Sequence, residues 1–169
     1  MNIVEIGGVE VSIDQARTRR TYEALAASAY KCSCAYCQNF RALGSTPFPL
    51  AVLAFFEQAG IDLDQPAETY EYNQTESGKH LYGGEFYFFG EAPLTDGSGL
   101  DPSGPLDFTF TKPSPLAQSE FHVEGAVCFS FIVELPWVIA GALGCMVTCT
   151  TPPFRAAARL NSGVSPQKK

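Results

Sequence analysis

The stretch Leu81-Tyr82-Gly83-Gly84-Glu85-Phe86-Tyr87-Phe88-Phe89-Gly90 predicts a strand from the middle of a β-sheet. Aromatic residues favour strands, and within 85–89 they occupy both alternating faces. A strand that is apolar on both faces is covered on both sides. The later segment Val127–Leu135 has the same character, with Phe129 and Phe131 on one face and Cys128 and Ile132 on the other. We therefore predict that these two strands are central.

Three further segments predict strands, and one of them, residues 107–111, is expected at the periphery of the sheet. Residues 107–111 alternate Phe108 and Phe110 with polar side chains, which is typical of a strand with one face in water. Residues 69–73 also have strand-forming composition. At the N-terminus, residues 3–13 are interrupted by Gly7-Gly8, a pair suited to the turn of a two-residue hairpin.

Two helices are predicted between the hairpin and the later strands. Asp14 can cap the first helix, in which Tyr22, Leu25, Ala26 and Ala29 recur at helical spacing. The second begins at a Ser45 or Thr46 cap with Pro47 in its first turn, and it ends at Gly60 with Ile61 folding back. The fold class predicted is thus α+β: an N-terminal hairpin and two helices, followed by a mainly antiparallel sheet of about four to six strands.

The composition predicts one globular domain. The chain has 169 residues, of which 46% are hydrophobic and 17% are charged, enough for a core that needs no disulfide scaffold. The strand pattern decays after Trp137 into Gly, Ala and Thr. We therefore assign residues 1–140 to a single α+β domain and residues 141–169 to a flexible tail, and interpret the Gly- and Ser-rich residues 93–105 as a mobile loop.

The charge balance disfavours two classes of partner. Eleven basic and eighteen acidic residues give a net charge of −7, which repels nucleic acid and anionic membrane surfaces. The N-terminus lacks the basic start and apolar run of a signal peptide, so we expect a cytoplasmic protein whose six cysteines are mostly reduced.

The triplet Cys32-Ser33-Cys34-Ala35-Tyr36-Cys37 carries the chemistry predicted for this chain. Residues 37–43 can form a short helix that ends at Gly44, with Cys37 at its N-terminus, where the helix dipole stabilises a thiolate. Three thiolates and one Zn²⁺ leave a net charge of 2 − 3 = −1, so one neutral ligand or a water would complete a tetrahedral site. We predict that Cys32, Cys34 and Cys37 are metal ligands and that the metal is zinc.

The sequence does not identify a fourth ligand. We interpret Cys128 as a buried small hydrophobic residue, His80 as an exposed turn residue, and His122 as an exposed or edge residue. Cys145 and Cys149 are the other candidates, in the tail. Two alternatives to metal binding stay open for the triplet itself: reactive thiols, or small residues in a tight turn.

Four stretches of the sequence together resemble a known family. The motif Cys32 to Phe40, the opening Val4 to Val11, and residues 81–90 and 131–138 together resemble an uncharacterised bacterial family of small proteins with a Cys-x-Cys-x-x-Cys-x-Asn-Phe motif. This resemblance covers residues 3–139 and implies fold and domain extent, without an activity.

From the sequence we infer a small cytoplasmic interaction or regulatory module with structural zinc, which presents a surface to a protein partner. The alternative is a thiol redox protein or sensor that uses Cys32, Cys34 and Cys37. The chain lacks a phosphate-binding Gly loop, a Gly-x-Ser-x-Gly elbow and a His-Glu-x-x-His helix, so no catalytic residue is assigned and a non-enzyme is favoured.

Overall fold

A computed structural model describes residues 1–25, 32–101, 106–115, 117 and 119–140. In chain order its elements are β1 (Asn2–Ile6), β2 (Val9–Ile13), α1 (Gln15–Leu25), α2 (Ala35–Leu43), α3 (Leu50–Ala59), β3 (Glu68–Gln74), β4 (His80–Glu91), β5 (Asp107–Thr111) and β6 (Ala126–Leu135), with a 3-10 turn at Ser119–Phe121 before β6. The α+β prediction is confirmed, with six strands in the described sheet and the hairpin at the N-terminus. None of the described helices is long and apolar enough to cross a membrane.

The sheet is built around β4 and β6, as their sequences predict. The strands follow the order β1-β2-β4-β6-β5, and β3 also pairs with β4. The β4–β6 register runs from His80↔Leu135 to Phe89↔Ala126, and all described strand pairs are antiparallel. The hairpin pairs with the described sheet at Ser12↔Glu91 and Ile13↔Gly90, and its Ile6 and Val11 side chains also pack in the core. Its turn has positive φ at Gly7 and Gly8, which glycine adopts without a steric penalty.

An aromatic core fills the space between the sheet and helices α2 and α3. Phe56 of α3 lies with its ring centroid 4.9 Å from those of both Phe86 and Phe129. Phe48, just before α3, lies 5.3 Å from Phe131. Edge-to-face and offset arrangements such as these are favoured by the ring quadrupoles. This core fixes α2 and α3 on one face of the sheet.

Helix α1 is held to β4 by buried polar contacts. Thr18 Oγ1 accepts the Phe89 backbone N–H at 2.9 Å, and the Tyr22 hydroxyl donates to the Tyr87 carbonyl at 3.0 Å. Asp14 caps the helix as predicted, because its Oδ1 accepts the Arg17 N–H at 3.0 Å. Ala26 and Ala29 lie outside the described residues.

The start of α3 differs from its prediction. Pro49 is the N-cap and Leu50 is the first helical residue. Ser45 belongs to a preceding turn, in which its carbonyl accepts the Phe48 N–H at 3.1 Å. That turn buries Phe48 in the core, and α3 consequently begins only at Leu50. The predicted end is confirmed: Gly60 is left-handed, and the Ile61 N–H donates to the Phe56 carbonyl.

Candidate metal centre

The three clustered cysteines converge at the start of α2. The Sγ atoms of Cys32, Cys34 and Cys37 all lie within 4.8 Å of one another, and each residue is half-buried. Since no disulfide joins the described cysteines, these sulfurs are available as thiolate ligands. The structure thus places all three predicted ligands within metal-binding distance.

Local hydrogen bonds explain why the chain folds in this way. Cys34 is the N-cap of α2, with extended backbone angles, and its Sγ accepts the Cys37 N–H at 3.4 Å. The helix therefore begins two residues before Cys37, at Ala35, and Cys37 lies within its first turn. Arg41 Nη2 donates to the Cys32 carbonyl at 2.6 Å, which holds Cys32 beside the helix.

The spacing of the sulfurs is close to that of a zinc site. Three thiolates bound to one zinc ion at about 2.3 Å with tetrahedral angles stand about 3.8 Å apart. The Sγ–Sγ distances, which are at most 4.8 Å, therefore have to shorten by no more than about 1 Å. Small rotations of cysteine side chains are sufficient for such a change.

The electrostatics at Cys37 favour a neutral thiol in the absence of a bound cation. Burial, followed by hydrogen bonding to the Cys32 and Cys34 thiols, raises the pKa of Cys37 well above its ordinary value. Negative charge on several adjacent sulfurs is unfavourable without a counterion. A bound divalent metal reverses this balance, because a coordinating thiol is deprotonated outright.

Asn39 fastens α2 to the end of β6, a role that the sequence reasoning missed. This fully buried amide donates to the Pro136 carbonyl at 3.1 Å and to the Tyr82 hydroxyl at 3.3 Å, and it accepts the Val138 N–H at 2.7 Å. Phe40, the next residue, stacks on Phe131 with centroids 6.0 Å apart. The only signal in the sequence was the presence of Asn39-Phe40 in the motif.

Tyr36, which lies between Cys34 and Cys37 in the sequence, contacts Tyr82 and Trp137. Its carbonyl accepts the Tyr82 hydroxyl at 3.1 Å, and its ring lies edge-on to Trp137 at 5.8 Å. Burial raises the pKa of Tyr82 to about 12, so this hydroxyl remains a donor at neutral pH. The Trp137 ring lies 5.1 Å from that of His80.

The interpretation of His80 as an exposed turn residue is wrong. His80 is the first residue of β4 and is only 3% exposed. Its Nδ1 lies 2.9 Å from Glu71 Oε1, which satisfies the ring nitrogen within the protein. The neighbouring Gly78-Lys79 turn suggested exposure, but pairing with both β3 and β6 buries the side chain.

Among the described residues, none of the other candidate ligands joins Cys32, Cys34 and Cys37 in the cluster. Cys128 is fully buried, as predicted, and burial raises its pKa. It alternates with Phe129 along β6, so its side chain lies on the sheet face opposite α2. His122 is exposed, as predicted. Cys145 and Cys149 lie outside the described residues.

Comparison with known proteins gives no relative from which to transfer a function. No family model, curated protein or solved structure matches the chain. The cysteine cluster is therefore interpreted from its own geometry.

Proposed function

We propose that this chain is a small metal-binding protein in which Cys32, Cys34 and Cys37 hold a structural zinc ion. The observation that carries the proposal is the convergence of three sulfurs within 4.8 Å at the start of one helix. Soft thiolates select zinc, copper(I) or iron–sulfur clusters over hard cations, and zinc is the usual occupant of closed structural sites with tetrahedral sulfur ligands.

The metal would stabilise the position of α2 on the sheet. Two ligands precede the helix and one lies in its first turn, while Asn39 and Phe40 attach the same helix to β4 and β6. Metal coordination would thus fix the start of α2, the helix whose Asn39 and Phe40 already contact the sheet. A full structural zinc site contributes on the order of 10 kcal/mol to folding, so its loss should be visible in thermal stability.

The broader function in this proposal is an interaction or regulatory module of the cytoplasm that binds a protein partner. It is consistent with the net charge of −7, which disfavours nucleic acid. The proposal includes membership of the uncharacterised bacterial family that the Cys-x-Cys-x-x-Cys-x-Asn-Phe motif resembles.

Elemental analysis tests the metal site directly. The full chain is purified without chelator or affinity metal and measured for zinc, copper and iron beside Cys34→Ser and the exposed-neighbour control Ser33→Ala. We expect about one zinc per chain in the wild type and the control, and loss of that zinc in Cys34→Ser.

Melting temperature provides the second measurement. We expect Cys34→Ser to melt at least about 5 °C below the wild type, whereas Ser33→Ala should change by no more than about 2 °C. A metal-free wild type, or equal melting temperatures for the two variants, would contradict a structural zinc site.

A thiol redox protein or sensor is the second candidate. It is favoured by the Cys-x-x-Cys spacing of Cys34 and Cys37 at a helix start, a position that promotes thiolate chemistry. Against it, the raised pKa of Cys37 reduces the thiolate fraction, and the described antiparallel strands provide no βαβ unit. One thiol that alkylates far faster than free cysteine in metal-free protein would favour this candidate.

A further inference from the structure

We propose that a hydroperoxide converts the metal-bound triplet into a Cys34–Cys37 disulfide and releases the metal. This inference rests on the proposed zinc site and adds a mode of regulation to it. Cys32 would be left as the remaining thiol. The cluster would then be a structural site that opens under oxidising conditions, without acting as an oxidoreductase.

The arrangement of the sulfurs favours the pair Cys34 and Cys37. All three Sγ atoms lie within 4.8 Å of one another, so any pair needs to approach by less than about 3 Å to form a disulfide bond of about 2.05 Å, and the local structure of α2 distinguishes the pairs. Only Ala35 and Tyr36 separate Cys34 from Cys37, and the Cys34 sulfur already faces the first turn of α2, where it accepts the Cys37 N–H. Both side chains are half-buried, which leaves an approach for a small oxidant.

Cys32 is held differently. It lies outside α2, and its carbonyl is bonded to Arg41 Nη2 at 2.6 Å. This contact fixes the Cys32 backbone from the far end of the same helix, while the Cys32 thiol, like the Cys34 thiol, also lies within hydrogen-bonding reach of Cys37. Only the Cys34 sulfur accepts the Cys37 N–H, so it is Cys34 that is placed against the first turn of α2, and we expect Cys32 to stay a thiol when the other two sulfurs join.

The chemistry balances with a hydroperoxide as the oxidant. One thiolate of the pair takes the terminal oxygen as the O–O bond breaks, which yields a sulfenic acid and, after protonation, an alcohol or water. The second thiolate attacks the sulfenic sulfur, the S–S bond forms, and hydroxide leaves as water. Two thiols are oxidised by two electrons, and one hydroperoxide is reduced. A zinc ion held by the triplet would lose two of its three cysteine ligands and would then be released.

The test uses the zinc-loaded full chain and hydrogen peroxide. Released zinc is followed with a chromogenic chelator, and remaining thiols are then alkylated before digestion. Cleavage after Lys31 and Arg41 yields one peptide, residues 32–41, which contains all three cysteines. We expect about one zinc released per chain, one alkylated cysteine within this peptide, located at Cys32 by fragmentation, and recovery of zinc binding after a dithiol reductant is added.

Variants separate the roles of the three sulfurs. Cys32→Ser should still form the disulfide under peroxide even if it binds no zinc, whereas Cys37→Ser should form no disulfide within this peptide. Ser33→Ala should respond like the wild type. A disulfide that includes Cys32, irreversible oxidation to sulfinic acid, or zinc that stays bound under peroxide would overturn the inference. A wild-type chain that contains no zinc would remove the proposed function as well, so the two failures are distinguishable.

Discussion

At the scale of single residues, Asn39 connects α2 to β4 and to the segment that follows β6. Its amide is fully buried, and its partners are the Tyr82 hydroxyl and the backbone of Pro136 and Val138. Those partners lie 43 to 99 residues away in the chain. A contact of that range leaves no periodic signal in the sequence, so the role of Asn39 could not be derived from local pattern.

Replacement of this amide should be costly. In Asn39→Ala the Val138 N–H, the Pro136 carbonyl and the Tyr82 hydroxyl lose their amide partner, and each hydrogen bond contributes about 0.5–1.5 kcal/mol net. We expect a loss of about 2–4 kcal/mol in the free energy of unfolding, measured by urea denaturation with circular dichroism. The exposed neighbour Gln38→Ala serves as the control; it loses one exposed hydrogen bond, to the Ser33 carbonyl, and should change stability by less than about 1 kcal/mol. Similar losses in both variants would contradict the role given to Asn39.

Glu68 provides a prediction about pH. It lies directly opposite Glu85 on the neighbouring strand, and burial, followed by the charge of Glu85, raises its pKa. The folded state therefore binds a proton at Glu68 more tightly than the unfolded chain does. This contribution is fully present below the unfolded pKa of about 4.3 and is lost as the pH rises through the folded pKa.

Glu68→Gln should consequently stabilise the protein at neutral pH and not in acid. Like charges directly opposite each other cost about 0.2–1 kcal/mol, so we expect a gain of that size at pH 7. The gain should disappear below about pH 4, as measured by urea denaturation across pH. Glu76→Gln, which removes the same charge from an exposed turn, is the control. A gain for Glu68→Gln that did not vary with pH would rule out the titration.

At the scale of elements, α2 links the cysteine cluster to the end of β6. Tyr36 lies between Cys34 and Cys37 in sequence, and its ring contacts Trp137 at 5.8 Å. Trp137 is the single tryptophan of the chain and is half-buried. A structural change at the start of α2 should therefore alter the surroundings of the Trp137 indole through its contact with Tyr36.

We predict that metal removal changes the emission of Trp137. Chelation of zinc from the full chain should loosen the first turn of α2, expose the indole ring further and shift its emission to longer wavelength. Tyr36→Ala, which lacks the ring contact, should show a much smaller shift for the same loss of zinc. If zinc leaves and the wild-type emission stays unchanged, the cluster and β6 are not coupled.

The elements also show where sequence patterns were sufficient. Strand β5 matches its predicted bounds because Phe108 and Phe110 alternate with polar residues, and β4 and β6 match within one residue at each end. The start of α3 was wrong because Pro47 is equally compatible with a turn, and only the burial of Phe48 in the tertiary core decides between them. For the same reason His80 was misjudged: its burial depends on two strand partners.

At the scale of the whole molecule, the described core lies between Ile6 and Leu135, and the last described clasp is the hydrogen bond from Val138 to Asn39. The predicted division into a domain of residues 1–140 and a flexible tail places the boundary just beyond that clasp. The tail lies outside the described residues, so the division stays a prediction. It has a direct consequence, because Cys145 and Cys149 would then be dispensable for the metal site.

A chain that ends at residue 140 should keep both the fold and the zinc. All three clustered cysteines, Asn39 and the aromatic core are retained, so we expect a melting temperature within about 2 °C of the full chain and about one zinc per chain. Cys145→Ser and Cys149→Ser in the full chain are the matched controls. Retention of the fold with loss of zinc would show that the segment beyond residue 140 supplies a ligand, and the two single variants would identify which cysteine it is. Loss of the fold itself would instead contradict the domain boundary, because the core would then depend on residues after Val138.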